Sequence, residues 1–206
     1  MIRIPPVLWT LALVILAGCG ALGRVSDAAA PQDAYTLSPL PVSGKAAGGN
    51  RHIVVELPSS AAELATDRIL IKPTALQAQY LPDGSWTDPA PALVQTLLLT
   101  SLQNVGGFRL VSRVGAGLTP DYTLMTELQE FQAAPSVVAP AAGVTIRVAA
   151  LMTMIRESDR QIVSTRRFSA ATTVASDDTL LLIGGFDSAM QSVLADAIPW
   201  IRAQGG

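Results

Sequence analysis

The first nineteen residues of the sequence constrain the chain more than any other stretch. A short basic start at Met1–Arg3 is followed by residues 7–17, an apolar stretch interrupted only by Thr10. This layout is typical of a secretory signal peptide. A transmembrane helix needs about 20 apolar residues to cross a hydrocarbon core about 30 Å thick, so this stretch is too short to be one. We therefore expect the remainder of the chain to be exported.

The stretch ends in Leu16-Ala17-Gly18-Cys19, which resembles a bacterial lipobox. The resemblance implies that the cysteine thiol is diacylated, that the peptide is cut between Gly18 and Cys19, and that the new amino terminus is acylated, with palmitate among the acyl chains. Each buried CH₂ contributes about 0.8 kcal/mol, so several chains hold a protein on a membrane. Gly20, where aspartate would favour the inner membrane, implies sorting to the inner leaflet of the outer membrane, facing the periplasm.

Two other interpretations of Cys19 stay open. The cysteine is either a chance residue near a signal peptide that is cleaved elsewhere, or a buried thiol that behaves as a small hydrophobe. It is the single cysteine of the chain, which excludes an intrachain disulfide. Its position at the end of the apolar stretch favours lipidation.

Composition divides the chain into three parts. Residues 1–18 are predicted to be the lipoprotein signal peptide, residues 19–50 a flexible tether rich in Ala, Pro, Ser and Gly, and residues 51–206 one globular domain. Within the tether, Tyr35–Leu37 is predicted as a short strand. The formal charge of −2, from 14 basic and 16 acidic residues, gives no basic excess for nucleic acid. A hydrophobic content of 50% argues against disorder and for apolar surface that a partner, a second copy or lipid covers.

Two helices are predicted from apolar residues at helical spacing. The first is expected to have Asp88 as N-cap and Pro89 at its first position, and to end at Gly106-Gly107. Its buried stripe is Val94, Leu97, Leu98, Leu102 and Val105. The last helix is expected to be capped by Asp177 or Asp178 and to be kinked or stopped at Pro199. Its buried stripe is Leu181, Phe186, Met190, Val193, Leu194, Ala197 and Ile201.

Strands are predicted around the helices from runs of β-branched and alternating residues. They cover residues 52–57, 68–72, 75–81, 108–113, 122–131, 144–155 and 161–174, the last two as a hairpin. Residues 59–66 are expected to form a loop or one helical turn, residues 82–85 a turn, and residues 133–143 a mobile loop between paired strands, of the kind that often carries function or meets a partner. This order predicts an α+β fold, a single domain with a mostly antiparallel or mixed β-sheet and two main helices packed on one face.

The order of these features resembles the ABC-type transport auxiliary lipoprotein family, whose members accompany MCE-type lipid transport systems such as the paraquat-inducible one. The resemblance covers essentially the whole mature chain. It is carried by the lipobox, Tyr35-Thr36-Leu37, Ile53-Val54-Val55 before a proline, Trp86 ahead of a leucine-rich helix, Tyr122-Thr123-Leu124 with Leu128 and Phe131, the hairpin that follows, and the closing alanine-rich helix.

This resemblance implies a membrane-anchored periplasmic subunit that assists intermembrane trafficking of lipids or apolar compounds. Its implied partners are an MCE-family substrate-binding protein and the ABC permease and ATPase of the same system; a homo-oligomer is left open. The sequence has no phosphate-binding Gly-x-x-x-x-Gly-Lys-Ser/Thr motif. The alternatives are an assembly or pilot lipoprotein for another outer-membrane machine and, ranked lower, a tethered periplasmic hydrolase.

No catalytic residue, no metal ligand and no cofactor apart from the lipid on Cys19 is predicted. His52 is the single histidine and is expected to be an exposed residue at a strand edge. Trp86 is expected either to anchor the first helix in the core, the preferred interpretation, or to belong to a partner surface. Arg166 and Arg167 are candidates for the same partner surface, in contact with lipid phosphates or an acidic partner, with a solvated strand edge as the alternative.

Overall fold

Three long strands form the centre of the fold. In the computed structural model, which describes residues 32–42, 48–115, 117–136 and 143–205, strands β7 (Tyr122–Pro135), β8 (Val144–Arg156) and β9 (Gln161–Val174) pair antiparallel in chain order. The predicted hairpin is thereby confirmed. The signal peptide, Gly18 and Cys19 of the lipobox, and most of the predicted tether lie outside the described residues.

One edge of β7 pairs with β8. Along its other edge, three short strands pair with it in parallel, one after another. These are β2 (His52–Val55), β3 (Ser59–Ser60) and β4 (Arg68–Thr74). Beyond β2 lies the parallel strand β6 (Leu110–Ser112), and beyond β4 lie the antiparallel strand β5 (Gln77–Trp86) and then β1 (Asp33–Tyr35). The described strands therefore form one mixed sheet of nine, which confirms the predicted α+β class.

Two local predictions are wrong in this region. The turn expected at residues 82–85 is part of β5, because pairing of Ser85 with Arg68 extends that strand to Trp86. Gly84 is buried there beneath the ring of Tyr35: a Cβ at position 84 would lie 2.9 Å from a ring carbon. Residues 133–135, expected to belong to a mobile loop, are the end of β7, and residues 137–142 of that predicted loop lie outside the described part.

The first helix, α1 (Ala90–Val105), has Pro89 as its N-cap, one position later than the predicted cap at Asp88 with Pro89 as the first helical residue. The carbonyl of Pro89 accepts the first helical amides and no side chain caps the helix, so the predicted Asp88 cap is wrong. Its stripe of Val94, Leu97, Leu98 and Leu102 is buried as predicted. The helix ends where expected, with Gly106 at a positive φ of 72° donating its amide to the carbonyl of Leu102.

The second helix, α2 (Thr179–Gly205), is capped by Asp178, whose Oδ1 accepts the amides of Leu180 and Leu181 at 3.0 and 3.2 Å. Leu181 itself is exposed, contrary to the prediction, whereas the other stripe residues are buried. The helix also continues through Pro199. Pro199 has no amide to donate to the carbonyl of Ala195, and both residues lie on the exposed side of the helix, where that carbonyl is open to solvent.

Both helices bury their apolar stripes in one core, against one face of the sheet. The length and apolar composition of α2 would suffice to cross a membrane, but its stripe packs against β8 and β9, as in the core helix of a globular domain. Trp86, Phe131 and Phe186 meet at the centre with ring centroids 5.1 to 5.3 Å apart. Residues from Ala34 to the C-terminus form one compact unit.

Candidate interaction surface

Residues Tyr35–Val42, here called the strap, contact both helices. On α2, the carboxylate of Asp187 accepts the amide of Ser38 at 2.7 Å, and the side-chain amide of Gln191 donates to the carbonyl of the same residue. These two bonds satisfy both backbone groups of Ser38. The strap is therefore held through its main chain.

Side chains of α1 bind the backbone of the strap two residues further along, at Leu40. The amide of Leu40 donates to Oγ of Ser101 at 2.9 Å, and Asn104 donates to the Leu40 carbonyl at 2.7 Å. Leu37, immediately before Ser38, is 5% exposed and belongs to the core. The predicted tether of residues 19–50 thus includes a segment of the folded domain, because its apolar residues and backbone groups find partners on both helices.

The edge of the sheet at β9 carries Arg167. Its Nε donates to Gln129 at 3.0 Å and its terminal nitrogen lies 3.1 Å from the Glu130 carboxylate, both on β7. Because β8 lies between β9 and β7, the arginine side chain lies back across the sheet face that the helices leave uncovered. Arg167 is exposed, as a partner surface requires, but its charge is already paired.

Arg166 points to the other face, beside α2. Its guanidinium carbon lies 5.1 Å from the ring centroid of Phe168, and that ring packs against Trp200 with centroids 5.3 Å apart. Arg166 is exposed and Trp200 half-buried. Arginine and tryptophan are the side chains that most often dominate binding energy at protein interfaces. Sequence reasoning missed Trp200; its signal was an aromatic residue on the helix beside the exposed Pro199.

Trp86 does not lie on a partner surface, which corrects one of the two interpretations given above. Its side chain is 2% exposed and packs on Phe131 and Phe186. The alternation of β5 and the start of α1 at Ala90 direct it into the core. The core-anchor interpretation of Trp86 is the one that the structure supports.

His52 is also placed differently from the prediction: it is 1% exposed. Its Nε2 lies 2.8 Å from Oγ of Ser112 on the neighbouring strand β6, a serine–histidine contact that spacing in the sequence did not reveal. Its Nδ1 is buried without a partner in the described part of the chain. The Asp121 carboxylate binds the His52 backbone amide instead of the ring. The arrangement therefore lacks the carboxylate that orients a catalytic histidine and is closed to a substrate.

A charged cleft of about 500 Å³ lies at the ends of β2, β7 and β8, where Asp121 faces Arg51. Oδ2 of Asp121 accepts the His52 amide at 2.7 Å, and Oδ1 lies 3.4 Å from the Arg51 guanidinium. The pKa of Asp121 is lowered, first by the amide bond and then by Arg51 and Arg109, against a desolvation that raises it. Asp121 is thus an ionised structural link between two strands.

Two further carboxylates in the described part of the chain, Glu130 and Glu157, are held by partners on the protein. Glu130 pairs with Arg167, and Glu157 pairs with Arg160 at 3.3 Å while accepting the hydroxyl of Thr123. Within the described ranges, no group of three or more His, Cys, Asp or Glu side chains is placed to hold a metal ion.

The model of the ABC-type transport auxiliary lipoprotein component family matches residues 35–198. The match begins at the first residue of the strap and runs into α2. No curated protein matches the chain.

Solved structures share the fold. Protein XCC0632 from Xanthomonas campestris, of the DUF330 family, has 21% identity and a TM-score of 0.73 over 85% of this chain and 96% of its own. An uncharacterized protein has 16% identity and a TM-score of 0.58 over 81% and 99%. The hypothetical protein CT253 from Chlamydia trachomatis has 12% identity and a TM-score of 0.50 over 77% and 98%. At these identities the likeness is one of fold.

Proposed function

The chain belongs to the ABC-type transport auxiliary lipoprotein family, and on that premise we propose that it is a membrane-anchored periplasmic subunit of an MCE-type ABC transport system. In this role it assists the movement of lipids or other apolar compounds between membranes by binding an MCE-family substrate-binding protein and the permease and ATPase of the same system. The family match over residues 35–198 carries the proposal, because it covers the strap, the sheet and both helices.

The anchor of this subunit is the lipid on Cys19. The strap follows Cys19 in the chain and is bound to both helices through Ser38 and Leu40, so it joins the anchored N-terminal part to the folded domain. Gly20 supports attachment to the inner leaflet of the outer membrane. An anchor of this kind localises the domain without a transmembrane helix.

The subunit acts by binding rather than by catalysis. The closed environment of His52 supports this, since a general base must reach the proton that it removes. The partner surface includes Arg166, Arg167 and Trp200, where a cation and an aromatic ring are accessible together at the sheet edge. An acidic side chain is the chemistry that this surface favours.

Replacement of Cys19 tests the anchored role. The Cys19→Ala protein should leave the membrane fraction and fail to support transport, while a Ser43→Ala protein, altered in the predicted tether, should behave as the parent. A Cys19→Ala protein that stays membrane-bound and fully supports transport would contradict the proposal. If the Cys19→Ala protein leaves the membrane but still supports transport, Cys19 is the site of the lipid anchor, but transport does not require that anchor.

A further inference from the structure

A second cleft, of about 370 Å³, lies on the sheet face that the helices leave uncovered. Lys72 of β4, Gln132 of β7 and Arg147 of β8 line it. The register of the sheet explains this grouping. Gln132 lies directly opposite Arg147 on one side and opposite Leu70 on the other, and Lys72 follows Leu70 by two positions on the same face.

Arg147 is the cation of this cleft whose charge is free. It is exposed, and among the described residues its guanidinium has neither a carboxylate partner nor an aromatic ring beneath it. Arg167, on the same face, is by contrast paired with Glu130. A guanidinium presents a rigid fork of N–H donors that suits an anion. Arg147 is therefore available to a ligand.

Lys72 supplies a second cation. Its Nζ lies 2.7 Å from the Glu63 carboxylate, and an ammonium group has further N–H donors beyond the one used in that bond. The two cations, Lys72 and Arg147, are thus balanced by the single carboxylate of Glu63. The cleft keeps an excess of positive charge.

The spacing of the two cations fits one small anion. Lys72 and Arg147 are separated by β7 and by one step along the strands, which puts their Cα atoms about 12 Å apart. Ala134 lines the cleft between these two strands, and its small side chain leaves space above it. Two long side chains from opposite sides can meet on an ion placed there, with the amide of Gln132 as a further donor.

We infer that this cleft binds a phosphate group. The donors come from three strands and converge from different directions, which suits a tetrahedral anion with several acceptor oxygens better than a planar carboxylate. Pro73 and Pro135 form an apolar border that can contact the carbon substituent of a phosphate ester. A lipid headgroup and a free phosphate share this chemistry. The inference goes beyond the proposed transport role, since it requires neither the lipid on Cys19 nor a partner subunit.

Titration of the full chain in uncharged detergent with inorganic phosphate tests the site. NMR of isotope-labelled arginine identifies the Arg147 signal as the one that Arg147→Gln lacks, and that signal should shift saturably in the parent. By calorimetry, Arg147→Gln should weaken phosphate binding about tenfold or more. Arg160→Gln, which removes the same charge at the turn between β8 and β9, should bind as the parent. An Arg147 signal that does not shift, or equal weakening by both variants, would overturn the inference.

Glu63→Gln should change the affinity in the opposite direction. It removes the carboxylate that competes for Lys72, so phosphate should bind about two- to fivefold more tightly than to the parent. Asp196→Asn, which removes a carboxylate from the exposed side of α2, should leave the affinity unchanged. A Glu63→Gln protein that binds phosphate no more tightly than the Asp196→Asn protein would overturn the inference.

A second probe distinguishes the two sources of phosphate. Glycerophosphoglycerol, the deacylated headgroup of phosphatidylglycerol, should depend on Arg147 as inorganic phosphate does. Tighter binding of glycerophosphoglycerol than of inorganic phosphate assigns the site to a lipid headgroup, and the reverse order assigns it to a free phosphate. Acetate is the control for charge alone. Acetate that binds as tightly as both phosphate probes would overturn the inference.

Discussion

The carboxylate of Asp187 on α2 accepts a hydrogen bond from the backbone amide of Ser38 at 2.7 Å, across 149 positions of sequence. This bond joins the N-terminal strap to the helix that closes the domain. It is one of the hydrogen bonds that hold the strap on the two helices.

Removal of this acceptor should loosen the strap. We expect Asp187→Ala to lower the free energy of unfolding by about 1 kcal/mol and to speed hydrogen exchange at the amide of Ser38. Asp187→Asn, which retains an acceptor oxygen, should change both much less, and Asp196→Ala, on the exposed side of the same helix, is a second control. Hydrogen exchange measured by mass spectrometry decides the matter: equal exchange of Ser38 in all variants would show that the bond does not hold the strap.

The packing of Trp86 between Phe131 and Phe186 predicts that Trp86 contributes more to stability than Trp200 does. Trp86→Ala should lower the free energy of unfolding by about 3–5 kcal/mol, because it empties the space between Phe131 and Phe186. Trp200→Ala, at a half-buried site, should cost less. Guanidinium unfolding monitored by circular dichroism measures both, and a Trp86→Ala protein as stable as the parent would be incompatible with the core position.

Adjacent glycines in α2 offer a matched pair. A Cβ at position 184 has no neighbouring atom within 4 Å, so Gly184→Ala should stabilise the helix by up to about 1 kcal/mol. Gly185→Ala would put its Cβ 2.6 Å from Ile146 and 3.0 Å from Val174, so overpacking of about 1–3 kcal/mol should outweigh the gain in helix propensity. Thermal unfolding should therefore shift in opposite directions. A rise in melting temperature for both variants would mean that α2 does not press on β8 and β9.

The lowered pKa of Asp121 predicts a pH-dependent variant effect. A carboxylate whose pKa is lower in the folded state stabilises the fold above its unfolded pKa, about 4, and loses that contribution as pH falls through the folded value. Asp121→Asn keeps an acceptor for the His52 amide but lacks the charge. We expect it to be less stable than the parent at pH 7 and to approach the parent below pH about 4. A difference that stays constant over this range would exclude the charge as the cause.

The long elements of the fold follow from sequence patterns. Alternation predicts β8 and β9, and helical spacing predicts α1 and α2 with the Asp178 cap, because these elements carry their own apolar periodicity. The residues at 82–85 were mispredicted as a turn because Pro and Gly favour turns locally, whereas pairing with β4 decides their state. Local propensity does not encode such pairing.

The candidate surface was predictable only in part. Arg166 and Arg167 are visible in the sequence as a charged pair on a strand, but the partners of Arg167 lie two strands away on β7. Trp200 joins them only through packing of α2 on Phe168. The strap escaped detection because its backbone bonds reach residues more than 60 positions away, so its composition is that of a tether.

The central claim, an anchored subunit of an MCE-type transport system, is tested most directly by crosslinking the native protein in its own membranes and identifying the attached proteins by mass spectrometry. The account predicts an MCE-family protein and an ABC permease among them, with crosslinks at residues near Arg166 and Trp200, and the loss of both proteins when Cys19→Ala is used. Recovery of an unrelated outer-membrane machine in their place would contradict it.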